Sequence, residues 1–253
     1  MRPINKGPQP IDIHGNPINP TDYKEWRKAL IDRIGYYCVY CNQPLSHSLQ
    51  VEHVIPKSPP AGYKPGDPIA WNNMLLACGP CNNAKGNTPI NSTTYYLPEE
   101  HNTHLPFKIA VLSGNEHAIV SERAGILPNQ ITKAQSTISL LELANVDKRD
   151  AIVDIRSMRR RDAEAAVIAY KLQYDLAKQS PTFIEAIAAV GVAKQAKVTG
   201  FFSLWYEAFS NEVEVMRRLV DNTTIKGTAV NCFDAANNFI PVPRNPLNVA
   251  DPF

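Results

Sequence analysis

The stretch that decides the fold runs from Cys38-Val-Tyr-Cys41 to Cys78-Gly-Pro-Cys81, with Gln50-Val-Glu-His-Val-Ile-Pro56 between the two cysteine pairs. Each Cys-x-x-Cys pair can bend tightly enough to present two thiolates to one ion, and two such pairs complete a four-sulfur shell. For zinc, a shell of this kind is a closed structural site with no open position for water. The sequence therefore predicts a structural Zn²⁺ ion that stabilises a loop-rich segment with a small apolar core.

Two alternatives to zinc are open for these cysteines. Iron fits the same four-thiolate cage, and two cysteine pairs can also occur by chance. The fifth cysteine, Cys232, stands apart beside Phe233 and is expected to be a small buried hydrophobic residue.

The residues between and behind the cysteine pairs offer oxygen ligands. Apolar residues within 51–55 favour a short strand, and the residues after Cys81 favour the start of a helix. This pattern predicts a β-turn-β unit followed by a helix, in which Glu52 and Asn82 can face one another across a cleft. Carboxylate and amide oxygens suit Mg²⁺ or Mn²⁺, so we expect a divalent ion at this pair.

Three further polar residues of this stretch have expected roles. His53 carries an imidazole that can act as a general base near neutral pH. Asn73 is expected to bond loop backbone and to fix the orientation of His53, and Lys85 to contact a phosphate group. A base together with a metal that acts as a Lewis acid suits hydrolysis of a phosphodiester bond.

The order of these residues resembles the HNH endonuclease family. Within residues 38–85 the matching positions read C-x2-C, then E-H-V-I-P, then N-M-L-L-A-C-x2-C-N-x2-K. The resemblance implies a ββα-metal fold around a nucleic-acid phosphate, with the cysteines as a zinc frame. It also implies His53 as the general base, Asn73 as the central asparagine, and Glu52 and Asn82 as ligands of the catalytic ion. Many members have Asp at the position of Glu52 and His at the position of Asn82. Glu52 and Asn82 both still offer oxygen ligands.

A narrower resemblance concerns the whole chain. The opening MRPINKGPQP, the early position of the HNH core and the helical carboxyl half are similar to the HNH nucleases of Septu-type antiphage defence systems. This resemblance implies an ATPase subunit as partner, a role in antiviral defence, and a docking or regulatory function for the helical half.

Composition sets the class of protein. The chain has 253 residues, of which 44% are hydrophobic and 20% charged, as in ordinary globular proteins. Its 26 basic and 24 acidic residues leave a net charge of +2, so any grip on nucleic acid must be local. It has no apolar run near the roughly 20 residues that cross a bilayer and no apolar leader at its start. We expect a cytoplasmic protein with reduced thiols and no membrane contact.

Proline marks a change along the chain, since fifteen of the 21 prolines lie between Pro3 and Pro106. All six histidines and four of the five cysteines also fall in the first half. From about Ile131 the pattern becomes helical. We therefore predict an α+β fold, with an HNH nuclease domain and its proline-rich amino-terminal arm over residues 1–125. A mainly helical domain with an irregular tail, for partner binding or regulation, follows over residues 126–253.

Two patterns define the helical half. The longest predicted helix covers residues 147–179, and its apolar residues recur at spacings that line one helix face. These residues are Ile152, Ile155, Ile168, Leu172 and Leu176. A second stripe consists of Phe202, Trp205 and Phe209 and is expected to belong to the core.

Two other clusters have polar side chains without a completed motif. His101 and His104 have the spacing of metal ligands, but no nearby residue completes a site, so we expect no metal there. The arginines at positions 156, 159, 160 and 161 could follow a phosphate backbone. Acidic neighbours favour a solvated face with salt bridges instead.

Two functions from different classes follow. The first is a metal-dependent endonuclease that cuts DNA, or alternatively RNA, with His53 as base. The second is a catalytically inactive, zinc-stapled module that binds nucleic acid or serves as a scaffold.

Overall fold

The computed structural model describes residues 1–45, 47–114, 116–146 and 154–253. The part of the longest predicted helix that contains Ile152 lies outside these residues. The helices are α1 (Trp26–Ile34), α2 (Gly79–Lys85), α3 (Pro128–Leu140), α4 (Arg156–Ala177), α5 (Glu185–Thr199), α6 (Phe202–Ala208) and α7 (Val213–Val220). The strands are β1 (Leu49–His53), β2 (Met74–Cys78), β3 (Phe107–Val111), β4 (Ala118–Glu122), β5 (Phe233–Asp234) and β6 (Ile240–Pro241). The predicted α+β class is confirmed.

Strands β1 and β2 and helix α2 form the expected ββα unit. The strands pair antiparallel, with Glu52 opposite Leu75 and His53 opposite Met74. Strand β2 leads directly into α2, where Pro80 occupies the first turn, a position that needs no backbone N–H donor. The helix ends at Gly86, whose φ of 51° lies in the left-handed region that favours glycine.

Around this unit lies the first of two apolar cores that the described residues form. Helix α1 contributes Trp26, whose ring meets that of Trp71 edge-on at 5.1 Å between centroids. Buried residues of α3, among them Ala134 and Ile138, belong to the same core. Since α3 lies within the predicted second domain, the core of the first half includes residues from beyond position 125.

The second core lies among the carboxyl-terminal helices. It contains Phe202, Trp205 and Phe209, as their spacing predicts, and Cys232 is buried in it as a small hydrophobic residue. Helices α4 to α7 pack around this core, which confirms the helical character of the carboxyl half.

The apolar face of the longest predicted helix is exposed in α4. The residues Ile168, Leu172 and Leu176 do share one face, but that face points outward, and the three side chains are 59%, 60% and 57% exposed. The opposite face of α4 contributes Val167 and Tyr174 to the second core.

Within the described ranges, we find no helix with both the length and the apolar character needed to cross a bilayer.

Candidate active site and cysteine cluster

The four cysteines of the two Cys-x-x-Cys pairs come together in the structure. All four are buried, and their sulfur atoms lie within 4.8 Å of one another. A tetrahedral ion with zinc–sulfur bonds of about 2.3 Å needs sulfur atoms about 3.8 Å apart. The Sγ atoms of Cys41 and Cys78 are 3.8 Å apart. This cluster can therefore hold a metal ion, and its donor set and spacing fit zinc.

Two arginines of α4 lie against this cluster, which corrects the expectation of a solvated face for Arg156 and Arg160. Arg159 is exposed and Arg161 forms a salt bridge with Glu164, as that expectation has it. Arg156 and Arg160 are each only 1% exposed. Arg156 is held by Asp154 and donates a hydrogen bond from Nη1 to the Cys81 sulfur at 3.0 Å. Arg160 donates to the Ala118 carbonyl, while its Nε and Nη2 atoms have no hydrogen-bond partner among the residues that the structure describes. A metal ion with four thiolates carries a net negative charge, which explains why two cations are buried beside it.

The face between β1 and α2 contains most of the expected catalytic residues. Gln50 and Glu52 are two apart on the strand, and Asn82 and Lys85 are three apart on the helix, so each pair shares a face. Asn82 donates a hydrogen bond to the Gln50 side chain at 2.7 Å. Lys85 Nζ lies 2.7 Å from Glu52 Oε1 and donates to the His53 carbonyl at 2.7 Å. The Asn82–Gln50 hydrogen bond and the Lys85–Glu52 ion pair thus lie next to each other and join α2 to β1.

Glu52 and Asn82, which were expected to share an ion, each contact a different partner, Lys85 and Gln50. Glu52 is 1% exposed, and its other oxygen accepts a hydrogen bond from Tyr40 at 3.1 Å. Burial raises the pKa of Glu52 to about 7, against the opposite effect of the Lys85 ion pair. The Lys85 ammonium group occupies the position next to the Glu52 carboxylate where a metal ion would bind. This arrangement therefore does not fit a hydrated divalent ion between Glu52 and Asn82. Lys85 is likewise buried and does not reach a surface where it could contact phosphate.

The Glu52–Lys85 pair gives a stability prediction. Glu52→Gln alone should lower the free energy of unfolding by about 3–5 kcal/mol, because it leaves the Lys85 ammonium buried without a counter-charge. Glu52→Gln combined with Lys85→Met should lose much less, since no uncompensated charge remains. Urea unfolding of the two single variants and the double variant measures the coupling. Losses that simply add would show that the pair is not coupled.

His53 is the last residue of β1, and its side chain lies on the face of the strand opposite to that of Glu52. Its ring packs against that of Tyr23, with 4.7 Å between centroids, and its Nε2 atom is 3.0 Å from the Pro68 carbonyl oxygen. A carbonyl can only accept, so Nε2 must carry the proton and Nδ1 holds the lone pair. Partial burial lowers the pKa of His53 below its ordinary value. The imidazole is therefore neutral at pH 7, with one nitrogen able to take a proton.

The loop that carries Pro68 is held in place by Asn73. The side chain of Asn73 accepts from the Ile55 N–H at 2.7 Å and donates to the carbonyls of Ile55 and Asp67 at 3.0 and 2.9 Å. Gly66 lies against this clamp, and a Cβ atom there would come within 2.3 Å of the Ile55 carbonyl oxygen. Asn73 thus contacts loop backbone next to Pro68, and the described contacts reach the His53 ring only through that loop.

Sequence reasoning missed a basic surface around the His53 ring. Lys57 is exposed, and its Nζ lies 5.0 Å from the centre of the Tyr23 ring. Lys24 lies 5.8 Å from the same ring centre. Lys24 and Lys57 lie outside the matching motif. They come close to one another only because the turn before α1 packs against the end of β1, and a single basic residue in a loop does not predict such a packing.

The histidine pair with metal-like spacing is structural. His101 Nε2 lies 2.9 Å from the buried Lys133 ammonium, and His104 packs on Tyr206 with ring centroids 4.4 Å apart. In the part of the chain that the structure describes, the cysteines form the only group of three or more His, Cys, Asp or Glu residues able to hold an ion.

Known proteins resemble this region. Residues 38–88 match the sequence model of a family described as HNH endonuclease. An 81-residue stretch, 32% of this chain, is 34% identical to the CRISPR-associated endonuclease Cas9 of Corynebacterium diphtheriae and spans only 7% of the length of that relative. No solved structure matches the chain significantly. The family match falls on the ββα unit and the cysteine cluster described above, and the chain therefore contains an HNH endonuclease domain at residues 38–88.

Proposed function

We propose that the HNH domain hydrolyses phosphodiester bonds in DNA, or alternatively in RNA, with His53 as the general base. The observation that carries the proposal is the Nε2 contact of His53 with the Pro68 carbonyl. It commits the other ring nitrogen to accepting a proton, which is what activation of a water molecule requires. A base oriented by a third group is the usual arrangement of such a catalyst.

The surroundings of His53 support a nucleic-acid substrate. Lys57 and Lys24 lie beside the ring of Tyr23, which packs on His53, so two positive charges lie on the same side of the site as the proposed base. Lysine contacts to phosphate oxygens hold a backbone in place without reading its sequence. A chain with a net charge of only +2 needs such a local concentration of positive charge to bind nucleic acid.

Several finer proposals remain from the sequence. They are Glu52 and Asn82 as ligands of a catalytic Mg²⁺ or Mn²⁺, Lys85 as a phosphate contact, and zinc as the ion of the cysteine cluster. Both the metal site at Glu52 and Asn82 and the phosphate contact of Lys85 require the Lys85 side chain to move away from Glu52, because the two form a buried ion pair. An ATPase partner, a role in antiviral defence, a regulatory helical half and a cytoplasmic location are proposals of the same standing.

The test of the function is a cleavage assay on the full chain. Plasmid DNA and a structured RNA are each incubated with zinc-loaded, dialysed protein in Mg²⁺, in Mn²⁺ and without any added divalent ion. We expect cleavage of DNA that requires an added divalent ion. Cleavage of RNA alone would reassign the substrate. Nucleic-acid binding without turnover under any ion would contradict the proposal.

One observation favours the second function, an inactive binding or scaffold module. The Glu52 carboxylate is buried against the Lys85 ammonium, as a purely structural ion pair would be. Under this function, the protein retains binding to nucleic acid in the assay above but produces no cut. The same assay therefore separates the two functions.

A further inference from the structure

The peptide group that orients His53 is also held at its opposite end. The carbonyl of Pro68, which accepts from His53 Nε2 at 3.0 Å, and the N–H of Ile69 belong to one planar peptide unit and point in opposite directions. This N–H donates to Asp67 Oδ1 at 2.9 Å. Because the unit is planar and rigid, a contact that fixes its N–H also fixes the direction of its carbonyl. The Asp67 side chain therefore holds the acceptor of the His53 proton in place.

The next peptide unit along the loop is held at both ends. Its N–H, from Ala70, donates to the same Asp67 Oδ1 atom at 3.0 Å. Its carbonyl, from Ile69, accepts from Trp26 Nε1 at 2.7 Å. Trp26 belongs to α1 and is only 1% exposed, so this contact ties the loop to a helix of the first core. Two side chains thus hold the backbone that follows Pro68.

Proline restricts the remaining freedom of this turn. The ring of Pro68 fixes its own φ near about −65°. It also keeps the residue before it, Asp67, in the extended region. The rotation that would turn the carbonyl away from His53 is therefore the one about ψ of Pro68. That rotation moves the whole peptide unit and would break the Asp67 contact at the same time.

We propose that Asp67 and Trp26 are positioning residues for His53 that act through the backbone of residues 68–70. The inference rests on the proposed function, in which His53 is the general base. Without the two side chains, the carbonyl turns more freely and Nε2 loses a fixed acceptor. The proton then lies on Nδ1 in part of the molecules, and Nδ1 is the nitrogen whose lone pair must accept a proton from water.

The tautomer of His53 tests the proposal without any cleavage. NMR at a pH where the ring is neutral shows which ring nitrogen carries the proton, and His53→Ala identifies the signals. We expect a single Nε2–H tautomer in the parent protein and a mixture of both tautomers in Asp67→Ala and in Trp26→Phe. Asp67→Asn keeps an oxygen acceptor without the charge, so it should keep the tautomer of the parent. Since Asp67 is exposed, its variants should fold.

Asp12 provides the matched control. It is exposed like Asp67, and its Oδ1 atom also accepts from two backbone N–H groups, those of His14 and Asn16, at 2.8 and 2.9 Å. The turn that it holds lies in the amino-terminal arm. Asp12→Ala should therefore leave the tautomer of His53 unchanged. Circular dichroism and thermal melts check that every variant is folded.

Single-turnover and steady-state cleavage give a second readout. Asp67→Ala should lower kcat by about 10–100-fold with little change in KM, because the base is misplaced while the contacts to phosphate are kept. Asp67→Asn should restore most of kcat. A structural role alone would not produce this rescue together with the change of tautomer.

Two results would overturn the proposal. One is a single Nε2–H tautomer in Asp67→Ala, whatever the cleavage assay shows. The other is an Asp67→Asn variant as impaired as Asp67→Ala, which would mean that the carboxylate acts through its charge. The expected change of tautomer in a protein that cuts no substrate would contradict the proposed function alone and support the positioning of His53 by Asp67.

Discussion

His53→Ala should lower the cleavage rate by about 10²–10⁴-fold while nucleic-acid binding and thermal stability stay close to those of the parent protein. The size follows from what a positioned general base contributes to a rate. Stability should change little because the ring is only half-buried and makes one hydrogen bond, to Pro68. Single-turnover cleavage, filter binding and thermal melts on the same preparations measure the three quantities. Cleavage that survives the substitution would remove His53 from the mechanism.

The pH dependence of the parent protein follows from the same residue. The pKa of His53 lies below the ordinary value of 6.5, so the neutral, proton-accepting form prevails at and above that pH. The cleavage rate should therefore reach half of its plateau below pH 6.5 and decline as the pH falls through the lowered pKa. A decline that begins above pH 7 would point to a different group.

Arg156→Met should lower the free energy of unfolding of the zinc-loaded protein by about 3–5 kcal/mol, because it removes the buried guanidinium that pairs with Asp154 and contacts Cys81. It should also weaken zinc binding by about 10–100-fold, as loss of a contact to a metal ligand commonly does. Urea unfolding and competition with a chromogenic chelator measure the two effects.

Arg159→Met is the matched control for this prediction. Arg159 lies on the same helix but is exposed, so its loss should change stability and zinc affinity little. When zinc is removed by a chelator, the free energies of unfolding of the Arg156 variant and the parent should differ less, since neutral thiols need no counter-charge. Equal losses for both arginines, or an unchanged zinc affinity, would contradict the assigned role of Arg156.

Local patterns predicted the elements of the site but not their pairing. The cysteine spacing indicated one cluster, and the apolar residues after Gln50 indicated the strand. Which helix residue meets Glu52 depends on how α2 lies along β1, where a shift of one residue changes every partner. The contact between Lys85 and Glu52 therefore has no signal in the spacing of the motif.

Long-range charge explains the other differences. Arg156 and Arg160 stand among acidic residues, a pattern that favours a solvated helix face. Their burial depends on cysteines about 75 positions earlier in the chain, which only the tertiary fold brings near. The Pro68 carbonyl that orients His53 belongs to a loop, and loop conformation is set by contacts such as those of Asn73.

The two halves of the chain are joined by contacts at several points. Near the amino terminus, Arg2 donates hydrogen bonds to the Lys226 carbonyl at 2.6 Å and to Thr228 Oγ1 at 2.9 Å. Helix α3 supplies part of the core around the ββα unit, and Arg156 donates to the Leu141 carbonyl at 2.9 Å as well as to Cys81. Proteolytic nicking near residue 125 would consequently yield fragments that each lack part of their own interior, and neither would survive as an independently folding nuclease or docking piece.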